Sequence, residues 1–173
     1  MCVYSKMRAP NLLFAISIIT FCIVSYIVYL HHDTYDQNIS KILNSTKVQP
    51  YVLIGFLILS SCIICYEYSK DCIHSLLCMS MCLIGLFGVI SIPEMNHRDH
   101  YSFVILLILG TLLFMKQNCI STVLAMSLFI QLILLMHILN HVIERNKRIF
   151  LCELALIINF VFFYSYLHYV TFL

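Results

Sequence analysis

Six apolar runs, separated only by short polar breaks, constrain this chain more than any other feature in it. They cover residues 11–31, 51–66, 72–92, 101–115, 119–140 and 149–171. A helix rising about 1.5 Å per residue needs about 20 mainly apolar residues to cross a hydrocarbon core. The second and fourth runs are short by that measure and are expected to borrow flanking residues. Between the runs lie HDTYDQNISKILNSTKVQP, EYSKD, PEMNHRDH, KQN and HVIERNKR. Lipid offers the backbone no hydrogen-bond partner, so each crossing must be helical. The strands of a membrane barrel would alternate polar and apolar residues, and these runs do not. The expected fold is an all-α membrane protein, a single six-transmembrane-helix domain over residues 1–173.

Composition excludes the soluble alternatives. Hydrophobic residues make up 62% of the chain and charged ones 10%, against about 25% charged in soluble domains. With ten Lys and Arg and eight Asp and Glu, a water-soluble fold could not cover so much apolar surface. A net charge of +2 carried by scattered basic residues gives no nucleic-acid footprint. Nine cysteines, an odd number and mostly inside the apolar runs, do not form a secreted disulfide framework. They read as small hydrophobes. Cys62 and Cys65 spell C-x-x-C, but inside LIGFLILSSCIICY rather than at a redox-type helix start. Gly85, Gly88 and Gly110 read as positions of close helix packing. Ser127 and Gln131 read as hydrogen-bonding groups facing a neighbouring helix. No cofactor is expected.

Lys6 and Arg8 precede the first run, but its apolar stretch is too long for a signal-peptide core and no small-x-small site follows. It reads as an anchor. For orientation, the sequence signals conflict. A cytosolic N-terminus places Lys6, Arg8, Lys70 and Lys116 inside, and Lys41, Lys47, Arg98, Arg145, Lys147 and Arg148 outside. Four against six runs counter to the positive-inside tendency. Against that count stand two glycosylation sequons, at Asn38 and Asn44, which have meaning only in a lumen or outside the cell. The break cysteines Cys2, Cys72 and Cys119 also fall on the reducing side in that arrangement. Both termini are therefore expected in the cytosol.

Ionisable groups in or beside spans are costly and by default mark function. Glu153 lies early in the sixth run, and His137 and His141 share a helix face at the end of the fifth. Glu94, His97, Asp99 and His100 follow the third. All of these fall at one membrane face, and the cytosolic half is expected to be poorer in such groups. The plainest reading is that they mark where water begins. As a site, they could bind a lipid headgroup through imidazole and carboxylate. The third reading is a metal-dependent hydrolase, with His137 and His141 as weak candidate metal ligands.

Two stretches resemble a known family. CLIGLFGVISIPEMNHRDHYSFVILLILGTLLFMKQ is similar to the third-to-fourth-helix region of the DRAM/Frag/Sfk proteins. These are damage-regulated autophagy modulators, FGF-receptor-activating-protein homologues and the GPI-lipid remodelling factor. The matching residues are Gly85, Phe87, Gly88, Glu94, His97, Phe103 and Gly110. LCELALIINFVFFYSYLHYVTF resembles the family's last helix, with Cys152 and Glu153 in its Cys-Glu positions and Leu154 where an aromatic is usual. The resemblance covers about half the chain. It implies six helices with both termini cytosolic. It also implies a non-enzymatic protein of the lysosome, Golgi, ER or plasma membrane that modulates lipid handling or autophagy. Its partners would be membrane lipids and other membrane proteins. The alternatives it leaves open are GPI-anchor lipid remodelling and a lumenal-face lipid hydrolase.

Overall fold

The computed structural model describes residues 9–31, 39–70, 72–92, 97–118, 121–142 and 144–172. Seven helices occupy them: α1 (Ala9–His31), α2 (Ile39–Leu43), α3 (Gln49–Tyr68), α4 (Ile73–Ser91), α5 (His97–Asn118), α6 (Ser121–His141) and α7 (Arg145–Phe172). Six of them, all but the five-residue α2, are long and apolar enough to cross a membrane. The second and fourth spans exceed their apolar runs at both ends, reaching 20 and 22 residues. Gln49, Pro50, Glu67 and Tyr68 complete α3, while His97 to His100 and Lys116 to Asn118 complete α5. Pro50 sits in the first turn of α3, where its missing N–H costs nothing. The short α2 lies in a stretch the sequence presents only as a polar break.

The spans run antiparallel in chain order. Phe14, near the start of α1, stacks on His168, near the end of α7, with ring centroids 3.9 Å apart. The start of α1 and the end of α7 therefore lie at one end of the bundle, called here the terminal end. The opposite end carries α2, the starts of α3, α5 and α7, and the ends of α4 and α6.

Packing is closest between α4 and α5; α1 packs on α3, α3 on α4, and α6 on α7. The α4–α5 contact is set by glycines. A Cβ on Gly85 would lie 2.5 Å from the Leu107 nitrogen and 2.7 Å from its Cα, and one on Gly110 would lie 2.7 Å from the Cys82 nitrogen. A Cβ on Gly88 would enter the Phe103 ring, and one on Gly55 would meet the Val24 side chain of α1. Position 82 thus faces 110, 85 faces 107 and 88 faces 103. Lipid tails are as apolar as leucine, so helices gain little from hiding apolar surface and associate through such close contact. The α6 surface is the most open, with Met126, Phe129 and Ile133 all more than half exposed to the surroundings. In a bilayer that surface meets acyl chains.

Because the obstacle at Gly85 is backbone, Gly85→Leu should cost about 1–3 kcal/mol through overpacking. The midpoint of thermal unfolding in detergent should fall accordingly. Ile84→Leu, one residue away and 55% exposed, should shift it by less than about 0.5 kcal/mol.

Candidate functional site

At the terminal end, α3 finishes on Glu67, whose side chain is 0% exposed. A carboxylate in such a place costs several kcal/mol unless donors meet it, and donors from several elements do. Lys70 Nζ donates to Oε1 at 2.7 Å and Ser75 Oγ to Oε2 at 2.7 Å. The Tyr164 hydroxyl donates to Oε1 at 3.1 Å. Asn118 Nδ2 in turn donates to Ser75 Oγ at 2.9 Å and to the Phe114 carbonyl at 3.0 Å. A single network therefore joins α3, α4, α5 and α7.

The turn after α3 aims Lys70 back at the helix it follows. The Ser69 and Lys70 amides donate to the Cys65 and Glu67 carbonyls, and Ser69 Oγ donates to Tyr66 O. Lys70 is 2% exposed, and its ammonium lies 4.4 Å over the Tyr66 ring and 5.6 Å from the Tyr164 ring centre. Aromatic faces attract a cation, yet burial dominates. It pulls the Lys70 pKa below its usual value even though the Glu67 charge and hydrogen bond push it up. Beside this hub, the Tyr66 hydroxyl and His168 Nδ1 share a 2.8 Å hydrogen bond.

This hub corrects the expectation that the terminal end is poor in ionisable groups. In the sequence, EYSKD reads as a solvated break. The structure extends α3 to Tyr68, so Glu67 and Lys70, three apart, fall on the last turn and the turn just beyond it. The available signal was that spacing at the end of an apolar run. Ser75, Asn118 and Tyr164 carry no local sign of the partner they meet.

The opposite end holds the residues singled out from sequence, and there the polar side chains close helix termini. The last carbonyls of α4 have no partners within their own helix. Asn44 Nδ2 donates to Val89 O at 3.0 Å and to Ile92 O at 3.5 Å, and Gln49 Nε2 donates to Ile90 O at 3.2 Å. His100, 3% exposed, donates from Nδ1 to Ile92 O at 2.9 Å. Glu153 accepts the Ile39 amide at 2.7 Å, so a carboxylate on α7 caps the start of α2. Asp99 is exposed in the first turn of α5, and His97 is its first residue. His137 and His141 are exposed and stacked, with centroids 4.2 Å apart, and His141 Nδ1 donates to the His137 carbonyl at 3.0 Å. Glu94 and Asn38 lie outside the described residues.

These candidates thus share an end of the bundle but fall into separate local contacts: His100 on α4, Glu153 on α2, and His137 with His141. No group of three or more His, Cys, Asp or Glu side chains placed to hold a metal occurs among the described residues. Within the spans, Ser127 Oγ donates to Asn159 Oδ1 at 2.9 Å, linking α6 to α7. The amide of Gln131, 6% exposed, meets no hydrogen-bond partner among the described residues. Cys72 is disulfide-bonded, whereas Cys22, Cys62, Cys65, Cys78, Cys82 and Cys152 are free thiols.

Fold and polar groups together define a multi-pass helical membrane protein whose buried charges serve the helix bundle. Comparison of the chain with family models, with curated proteins and with solved structures finds no match in any of the three.

Removing one partner from the hub leaves an uncompensated buried charge. Lys70→Met should therefore destabilise the protein by about 3–5 kcal/mol. The double variant Glu67→Leu with Lys70→Met should be more stable than Lys70→Met alone, as read by thermal unfolding in detergent.

Proposed function

We propose that the protein acts at the water–lipid boundary by binding lipid headgroups or a partner membrane protein, without catalysing a reaction. It would thereby modulate membrane lipid handling or autophagy, as its resemblance to the DRAM/Frag/Sfk proteins implies. The observation that carries this reading is the exposed, stacked pair His137 and His141 at the end of α6. Of the other described candidates at that end, His100 and Glu153 are engaged in capping helices and Asp99 is exposed in the first turn of α5. Among the described residues, the contacts of the two stacked imidazoles stay within their own helix turn. They close a 21-residue apolar helix, a position that supports contact with headgroups, where imidazole can meet phosphate. The apolar face of α6 continues the same surface into the acyl region.

Six of the described helices are long and apolar enough to cross a membrane, which favours contacts with lipid or with other spans. A helix surface of the α6 type serves either partner through packing and a few polar contacts at its ends.

The double variant His137→Ala with His141→Ala should keep the expression and unfolding midpoint of the wild type, because both side chains are exposed. It should lose most of the phospholipid that co-purifies after mild detergent extraction, together with any cellular phenotype that restoring the wild-type gene rescues. Retention of both by the variant would remove the α6 end from the mechanism.

A further inference from the structure

We infer that the end of the bundle bearing α2 and the α6–α7 turn faces the cytosol, and that both chain termini lie on the exoplasmic or lumenal side. This is the reverse of the orientation that the family resemblance implies. It bears on the proposed function by deciding which leaflet His137 and His141 meet.

Three observations bear on it: two argue for it and one removes an argument against it. The first is the distribution of Lys and Arg, which sets orientation where net charge does not. Among the described residues the α2 end carries Lys41, Lys47, Arg98, Arg145, Lys147 and Arg148 and the terminal end Lys70 and Lys116; Lys6 and Arg8 lie outside the described residues and precede α1 in the sequence. Lys70 drops out of the terminal set, since it is buried and held by Glu67 at 2.7 Å. Six cations then face three. At the α2 end, Lys41, Lys47 and Arg98 are exposed.

The second observation concerns Asn44. A sequon argues for a lumen only if its amide nitrogen can carry a glycan outward. Here that nitrogen is directed at the end of α4 and donates to Val89 O and Ile92 O. A glycan on it would break a cap that lies against a neighbouring helix. The Asn44 sequon therefore gives no support to a lumenal α2 end.

The third is Cys72, at the turn between α3 and α4 on the terminal end. It is disulfide-bonded, and disulfides persist in oxidising compartments while cytosolic thiols stay reduced. Break cysteines support a cytosolic terminal end only while they remain thiols. Once Cys72 is bonded, the same reasoning places that end in the lumen or outside the cell.

The orientation can be read without any lipid-binding assay, so its failure and that of the proposed function are separable. Lys47→Cys in the full chain places a thiol on the exposed segment between α2 and α3. In sealed, cytosol-side-out microsomes, a membrane-impermeant maleimide should label this variant above the wild-type background, to the level reached after detergent opening. If position 47 fails to react in both states, Arg98→Cys, exposed at the start of α5, gives the same readout. A sequon appended beyond Leu173 on a flexible spacer should acquire a glycosidase-sensitive glycan, while the untagged chain should show none. Labelling that requires detergent, or a glycosidase shift of the untagged chain that Asn38→Gln abolishes, would overturn the inference.

Discussion

A carboxylate that leaves water must be met by donors, and Glu67 is met by donors from three directions. Lys70 comes from the turn behind it, Ser75 from α4 and Tyr164 from α7, while Asn118 holds Ser75 from α5. Four helices are thereby fixed relative to one another at the terminal end. Apolar packing alone would specify this arrangement weakly, because a leucine face gains little by exchanging lipid for protein. A charge with designated partners cannot be re-paired after a register slip without leaving a buried ion unsatisfied. The neighbouring Tyr66–His168 bond and the Phe14–His168 stack bring α1 into the same cluster.

The middle and far end of the bundle follow two other rules. In the middle, glycines let α4 and α5 approach to backbone contact, and the spacing of Gly85, Gly88 and Gly110 sets their register. At the far end, orphan carbonyls require donors, and Asn44, Gln49 and His100 supply them to the end of α4. Each rule has the same origin. A polar group without water must find its partner inside the protein. The α6–α7 hairpin is joined to the rest less extensively, and its polar link at mid-depth is Ser127 with Asn159. This leaves α6 as the span with most surface available to lipid.

Much of this was legible in the sequence, and the parts that were not share a cause. All six spans can be read from apolar runs, because the demand for helical backbone in lipid depends on composition over a window. Their ends cannot be read that way. Gln49, Glu67, His97 and Asn118 are polar yet helical, since hydropathy reports side-chain solubility and not backbone geometry. The helix α2 is too short to leave a periodic signature, and its amide partner, Glu153, lies more than a hundred residues away. That His100, His137, His141 and Glu153 share one end follows from counting spans. That His100 closes α4 while His137 stacks on His141 depends on tertiary contacts that no local pattern encodes. The Glu67 hub escaped for the same reason, as its members come from four separate helices.

The central claim is that Glu67 is an internal hub and not a solvated residue at a helix end. A double-mutant cycle on Glu67→Gln and Tyr164→Phe, followed by thermal unfolding in bicelles, tests it most directly. Direct contact at 3.1 Å predicts a coupling of about 0.5–3 kcal/mol between the two substitutions. Additive effects, with each single change near zero, would place Glu67 in water and contradict the account.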